Sequence, residues 1–96
     1  MTNARSTTDI DDDRVRITTW TFGSDGEHTG PHVHEYDYIV VPVTGGTFVV
    51  TNPDGTTRVL TQDAGSPYAG SAGTDHDVAN VPGATAVFVE IELKVA

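Results

Sequence analysis

Three histidines are the residues of this chain best suited to chemistry. His32 and His34 are separated by one residue, and His76 follows forty-two residues after His34. On an extended strand, residues at i and i+2 point to the same face, so His32 and His34 can bind one ion together. A neutral imidazole offers a nitrogen suited to Zn, Fe, Ni or Cu, and a histidine from another strand can complete the ligand set. Because the chain has no cysteine, the pattern predicts a metal site built from nitrogen and oxygen ligands.

The composition excludes several classes of partner. A chain of 96 residues suffices for one domain with a modest core. Its formal charge of −9, from fourteen acidic against five basic residues, repels phosphate backbones and anionic lipid surfaces. No apolar stretch approaches the roughly 20 residues of a membrane span, and the N-terminus lacks an apolar signal core. We therefore expect a cytoplasmic protein that binds neither nucleic acid nor membranes.

Strand-forming residues dominate the chain after its first segment. Residues 1–13 are polar and acidic, so we expect a flexible N-terminal arm followed by one domain over residues 14–96. Within that domain, short runs of Val, Ile, Thr, Tyr and Phe alternate with turn residues, and no segment has a helical period. The pattern predicts an antiparallel sandwich or barrel with strands at residues 14–22, 32–43, 46–51, 56–62, 67–68, 75–80 and 85–94.

The clearest turn lies between the third and fourth predicted strands. It places Pro53 at the second position and Gly55 at the fourth, which are the positions that favour these residues, and so it predicts a hairpin. On the strand predicted at residues 32–43, Tyr38 shares the face of the histidines, whereas Asp37 points to the opposite face.

Two spaced patterns around the histidines resemble the motifs of the cupin superfamily. The first consists of Gly26, His32, His34, Tyr38 and Gly45, with Tyr38 where the motif normally has a glutamate. The second consists of Gly65, Ser71, Gly73, His76 and Asn80, with Ser71 where the motif normally has a proline. Four of five positions match in each pattern, and the segments at 32–42 and 88–94 also look like small single-domain cupins linked to β-alanine degradation.

This resemblance implies an all-β, single-domain jelly-roll barrel that holds a divalent transition metal (Fe, Zn, Ni or Mn) through His32, His34 and His76. Tyr38, in the place of the usual carboxylate ligand, is our candidate catalytic residue. We favour a phenol that contacts the substrate near the ion, while a phenolate ligand and a packed barrel aromatic are the alternatives. Small cupins commonly dimerise, so we expect a homodimer, in which the N-terminal arm can add an edge strand to the partner.

Five further residues are weaker candidates. Glu90 and Glu92 share one face of the last predicted strand, and we expect that face to be exposed to solvent; the alternative is that they orient the histidines. Glu27 and His28 are expected in a solvated loop, with closure over the site as the alternative. Arg58 follows a hairpin turn and is expected to face water, with binding of a substrate carboxylate as the alternative.

Three functions are compatible with these residues. The first is a metal-dependent enzyme of the dioxygenase or the lyase/isomerase type, acting on a small anionic molecule, because three neutral ligands leave the metal charge uncompensated. The second is a non-catalytic module that binds a small molecule. The third is a structural barrel whose histidines hydrogen-bond one another.

Overall fold

Nine β-strands form the part of the chain that the structure describes. A computed structural model describes residues 2–94, so Met1, Val95 and Ala96, at the ends of the predicted arm and domain, lie outside the described residues. Residues 2–94 contain no helix, and therefore none long and apolar enough to cross a membrane. The strands are Arg5–Asp11 (β1), Val15–Phe22 (β2), His32–Val33 (β3), Asp37–Pro42 (β4), Gly46–Thr51 (β5), Thr57–Gln62 (β6), Tyr68–Gly70 (β7), Asp75–Asn80 (β8) and Ala86–Leu93 (β9).

The strands form two antiparallel sheets. One sheet has the order β1-β2-β9-β4-β7, and the other has the order β3-β8-β5-β6. This arrangement confirms the predicted all-β jelly roll. The hairpin between β5 and β6 also forms as predicted: the Gly55 amide donates to the Asn52 carbonyl at 2.9 Å, and Gly55 adopts a φ of 86°.

The core lies between the two sheets and is built around three phenylalanines. Phe22 on β2 and Phe88 on β9 face Phe48 on β5, with ring centroids 5.2 to 5.8 Å apart. Because side chains alternate along each strand, the residues two positions from each phenylalanine also point into the core. Each buried aromatic ring removes a large apolar area from water. The remaining buried hydrophobic residues are Tyr38, Val40, Val50, Val78 and Ala86.

The strand predicted at residues 32–43 is in fact two strands in different sheets. β3 pairs with β8, whereas β4 pairs with β9 and β7. The chain leaves the four-stranded sheet after His34 and joins the five-stranded sheet at Asp37. The prediction of one continuous strand was wrong because alternation of side chains continues across the crossing, so the sequence pattern contains no break.

The segment expected to be a flexible arm contains strand β1. Residues Arg5–Asp11 pair in antiparallel fashion with β2 of the same chain, with a register shift between Thr8 and Ile10. All seven residues of β1 are exposed, because nothing covers either face of this edge strand. The polar composition of this segment thus agrees with the exposure of its side chains. Its backbone nevertheless forms hydrogen bonds with β2 along one edge.

Candidate metal centre

Two short strands bring the three histidines together. His32 on β3 lies directly opposite His76 on β8. His34 follows β3, and its backbone is held on both sides: its amide donates to the Thr74 carbonyl, and its carbonyl accepts from the Gly73 amide, each at 2.8 Å. Gly73 and Thr74, which belong to the second motif, therefore hold His34 beside His32 and His76.

The three rings converge through their Nε2 atoms. The Nε2 of His34 lies 3.1 Å from the Nε2 of His32 and 3.1 Å from the Nε2 of His76. For metal–nitrogen bonds of about 2.1 Å, ligands at right angles would lie about 3.0 Å apart and tetrahedral ligands about 3.4 Å apart. The observed separations therefore fit three ligands on one face of an ion.

The hydrogen bond of His32 favours its ligating tautomer, whereas His76 has no such bond among the described residues. His32 Nδ1 lies 2.8 Å from the Gly30 carbonyl, and because a carbonyl only accepts, this nitrogen carries the proton. The Nε2 of neutral His32 therefore points a lone pair toward the other rings. His76 Nδ1 is buried and has no hydrogen-bond partner among the described residues, so its ring has no second hydrogen bond to select a tautomer.

Burial keeps two of the rings neutral. His34 is 4% exposed. Burial, followed by the charge of His32, lowers the pKa of His34 from 6.5 to about 4. Burial, followed by the charges of His32 and His34, lowers the pKa of His76 to about 4 as well. Neutral imidazole is the form that binds a metal, so both rings have the protonation state that a ligand needs at neutral pH.

Tyr38 packs against the site. Its ring stacks on the ring of His34, with centroids 3.8 Å apart and planes inclined by 18°. On the other side it lies against Gly70, where a Cβ would overlap the tyrosine ring. Burial raises the pKa of the Tyr38 hydroxyl above its usual value of 10, which disfavours a phenolate.

Glu90 and Glu92 face the interior, so the expectation that they face solvent was wrong. Glu92 is 7% exposed and accepts a hydrogen bond from Arg16 Nη2 at 3.0 Å. Glu90 Oε1 lies 3.8 Å from His34 Nδ1, on the side of the ring opposite the cluster. Burial, followed by the charge of Glu92, raises the pKa of Glu90 from 4.5 to about 7.

The remaining candidates lie elsewhere. The Glu27 carboxylate accepts from the Gly23 amide at 2.7 Å, within its own loop. His28 Nδ1 lies 3.0 Å from Asp77 Oδ2, away from the three histidines. Asp37 is exposed, as its position on the opposite face predicted. The structure thus brings together His32, His34, His76 and Tyr38, adds Glu90, and leaves Glu27 and His28 outside the cluster.

The histidines lie between two cavities. One has a volume of about 290 Å³ and is lined by all three histidines together with Tyr38, Arg58, Gln62 and Tyr68. The other, of about 460 Å³, lies on the side of β1 and β2 and is lined mainly by polar residues, which include Arg16 and Glu92. His32, His34 and Glu90 border both cavities. A ligand can therefore reach the cluster without any rearrangement of the barrel.

The fold and the histidine cluster define the chain as a small single-domain cupin. It is 41% identical over 88 residues to the β-alanine degradation protein BauB of Pseudomonas aeruginosa, covering 92% of this chain and 90% of that protein. The chain belongs to the family of small cupins that includes BauB. This relationship confirms the resemblance inferred from the two motifs. No protein-family profile matches the chain.

Solved structures agree with this assignment. A cupin domain from Bordetella pertussis is 38% identical, with a TM-score of 0.91 over 98% of this chain and 96% of that one. A cupin-like protein from Thermotoga maritima is 17% identical, with a TM-score of 0.75 over 99% of this chain and 71% of that one. The second likeness concerns the fold alone.

Proposed function

We propose that the protein binds one divalent transition metal through His32, His34 and His76 and is a metal-dependent enzyme acting on a small anionic organic molecule. The convergence of the three Nε2 atoms at 3.1 Å carries the proposal. Lone pairs at this separation repel one another unless a cation or a proton lies between them. Burial lowers the pKa of two of the rings, so His34 and His76 carry no extra proton at neutral pH. The alternative to a metal is the Nε2–H of a neutral ring, as in the hydrogen-bonded histidine cluster.

Two features support an anionic ligand. Three neutral imidazoles leave both positive charges of the ion uncompensated, and the position that normally supplies a carboxylate holds Tyr38. The name of the relative BauB adds a chemical hint, because β-alanine carries a carboxylate. When bound, the metal would supply a Lewis acid or, in the case of iron, a redox centre.

The residues around the histidines have supporting roles. Tyr38 holds the plane of the His34 ring by stacking, and its hydroxyl lies at the cavity that would receive the substrate. As a carboxylate, Glu90 would balance the positive charge on the His34 ring when the Nε2 atom of that ring binds a cation. Apolar walls of the cavity, including Val40, Leu60 and Phe88, exclude water from the reacting molecule.

Metal analysis tests the proposal. The protein is purified without a nickel column, reconstituted separately with Fe(II), Mn(II), Ni(II) and Zn(II), and analysed for bound metal. We expect one equivalent in the wild type, loss of the metal in His76→Ala, and retention in the matched control His28→Ala, since His28 lies outside the cluster. Absence of stoichiometric metal under all four conditions would contradict the proposal and favour the hydrogen-bonded histidine cluster.

A non-catalytic small-molecule module is the second candidate. The cavity of about 290 Å³ favours it equally, because the cavity alone accounts for binding. Turnover separates the two functions. Oxygen uptake by the Fe(II) protein, or product formation by the Zn(II), Ni(II) or Mn(II) protein, supports the enzyme, whereas saturable binding without either supports the module.

A further inference from the structure

Among the residues that the structure describes, Arg58 is the one arginine or lysine that lines the cavity of about 290 Å³ beside the three histidines. The chain has five basic residues against fourteen acidic ones. Arg16 pairs with Glu92, and Lys94 pairs with Asp11. Over residues 2–94, the side chain of Arg58 forms neither an ion pair nor a hydrogen bond with another residue. Its guanidinium is therefore available to an anion that enters the cavity.

The strand register places Arg58 in the same sheet as His76, two strands away, and both residues border the cavity. Arg58 on β6 pairs with Val50 on β5, and Val50 pairs with Val78 on β8, two residues after His76. With strands about 4.8 Å apart and a rise of about 3.3 Å per residue, the Cα atoms of Arg58 and His76 are about 12 Å apart. The positive charge of Arg58 also acts on Tyr38, Tyr68 and His76, where it opposes protonation of the imidazole and favours ionisation of the phenols.

We propose that Arg58 binds the carboxylate of the ligand, so that the cavity selects a short-chain carboxylate whose other end reaches the metal. This inference rests on the proposed function and specifies its substrate class. The planar guanidinium can donate two parallel hydrogen bonds to a carboxylate. The span between Arg58 and the histidines then accommodates only a few carbon atoms, which pack against Val40, Leu60 and Phe88.

Titration of the Zn(II) protein with propionate and butyrate, and with propionamide and butyramide as neutral counterparts, tests this inference. The variants are Arg58→Gln, Arg58→Lys and the control Arg14→Gln, which removes the same charge from an exposed position outside the cavity. We expect Arg58→Gln to weaken carboxylate binding at least tenfold and to leave amide binding unchanged. Arg58→Lys should retain part of the affinity, and Arg14→Gln should change it less than twofold.

Metal content, measured on the same samples, distinguishes the two failures. If the wild type holds zinc but binds no carboxylate, or binds it equally after Arg58→Gln, the role of Arg58 is overturned and the metal site stands. If the wild type holds no metal, the proposed function fails. The same titrations on that metal-free protein still decide whether Arg58 binds carboxylates.

Discussion

Tyr38 and His34 stack face to face, with ring centroids 3.8 Å apart. Tyr38 occupies the position at which the cupin motif normally has a glutamate, and its ring contacts the imidazole of His34. Tyr38 therefore supports the site by packing on His34, whereas a glutamate at this position would support it as a ligand. It also separates the roles of the ring and the hydroxyl, which can be removed independently.

Tyr38→Phe should retain the bound metal and cost about 1 kcal/mol of stability, because the ring stack remains and only the hydroxyl is lost. Tyr38→Ala should cost about 3–5 kcal/mol, since it leaves a cavity beside His34. Urea unfolding and metal analysis measure both effects. A visible charge-transfer band in the Fe(III) wild type that disappears in Tyr38→Phe would contradict this prediction and identify a phenolate ligand.

Gly70→Ala should destabilise the protein by about 1–3 kcal/mol, because its methyl group would overlap the ring of Tyr38. The measurement is urea unfolding of Gly70→Ala, Tyr38→Ala and the double variant. Removing the ring makes room for the methyl group, so the double variant should lose less stability than the two single losses combined. Additive losses would mean that the two residues do not share this contact.

Glu90→Gln should weaken metal binding about 10–100-fold, because the amide cannot balance the charge that forms on His34. Competition with a chelator measures the affinity. The matched control is Glu35→Gln, an exposed carboxylate that borders neither cavity. Equal affinities of the two variants would exclude a role for Glu90 in orienting the ring.

The stability of the metal-free protein should depend on pH through His34 and His76. Both have a pKa lowered from 6.5 to about 4 in the folded state. Between these values the unfolded chain binds more protons, so their contribution is present above pH 6.5 and is lost as the pH falls through 4. Glu90 acts oppositely: its pKa is raised from 4.5 to about 7, so the contribution of its protonated form is present below pH 4.5 and lost as the pH rises through 7.

Urea unfolding across this pH range, in the presence of a chelator, measures the balance. Two histidines oppose one carboxyl group, so the wild type should lose stability as the pH falls from 6.5 toward 4. Glu90→Gln removes the opposing contribution and should steepen the loss, while Glu35→Gln should follow the wild type. An unchanged slope in Glu90→Gln would show that this carboxyl group titrates normally in the fold.

Much of the fold follows from local patterns. The bounds of β5 and β8 agree with prediction, as does the hairpin turn at Gly55, because these elements depend on alternation and on turn residues that neighbours in sequence determine. The prediction that His34 and Tyr38 share one face is also confirmed, because it depends on alternation alone. The crossing between the sheets after His34 was not predictable, because a chain can change its hydrogen-bond partners while its side chains go on alternating.

The sequence by itself determined the residue types, their spacing and therefore the cupin family, the three converging histidines and the tyrosine beside them. It did not determine which side of β9 faces the core. An alternating strand has two faces, and Val87, Val89, Ile91 and Leu93 are the more apolar set, yet the tertiary structure turns Phe88, Glu90 and Glu92 inward. Only the packing of β9 between β2 and β4, with Phe88 in the aromatic core, decides this orientation. The physical reason is that alternation is symmetric with respect to the two faces, whereas the contacts with other strands are not.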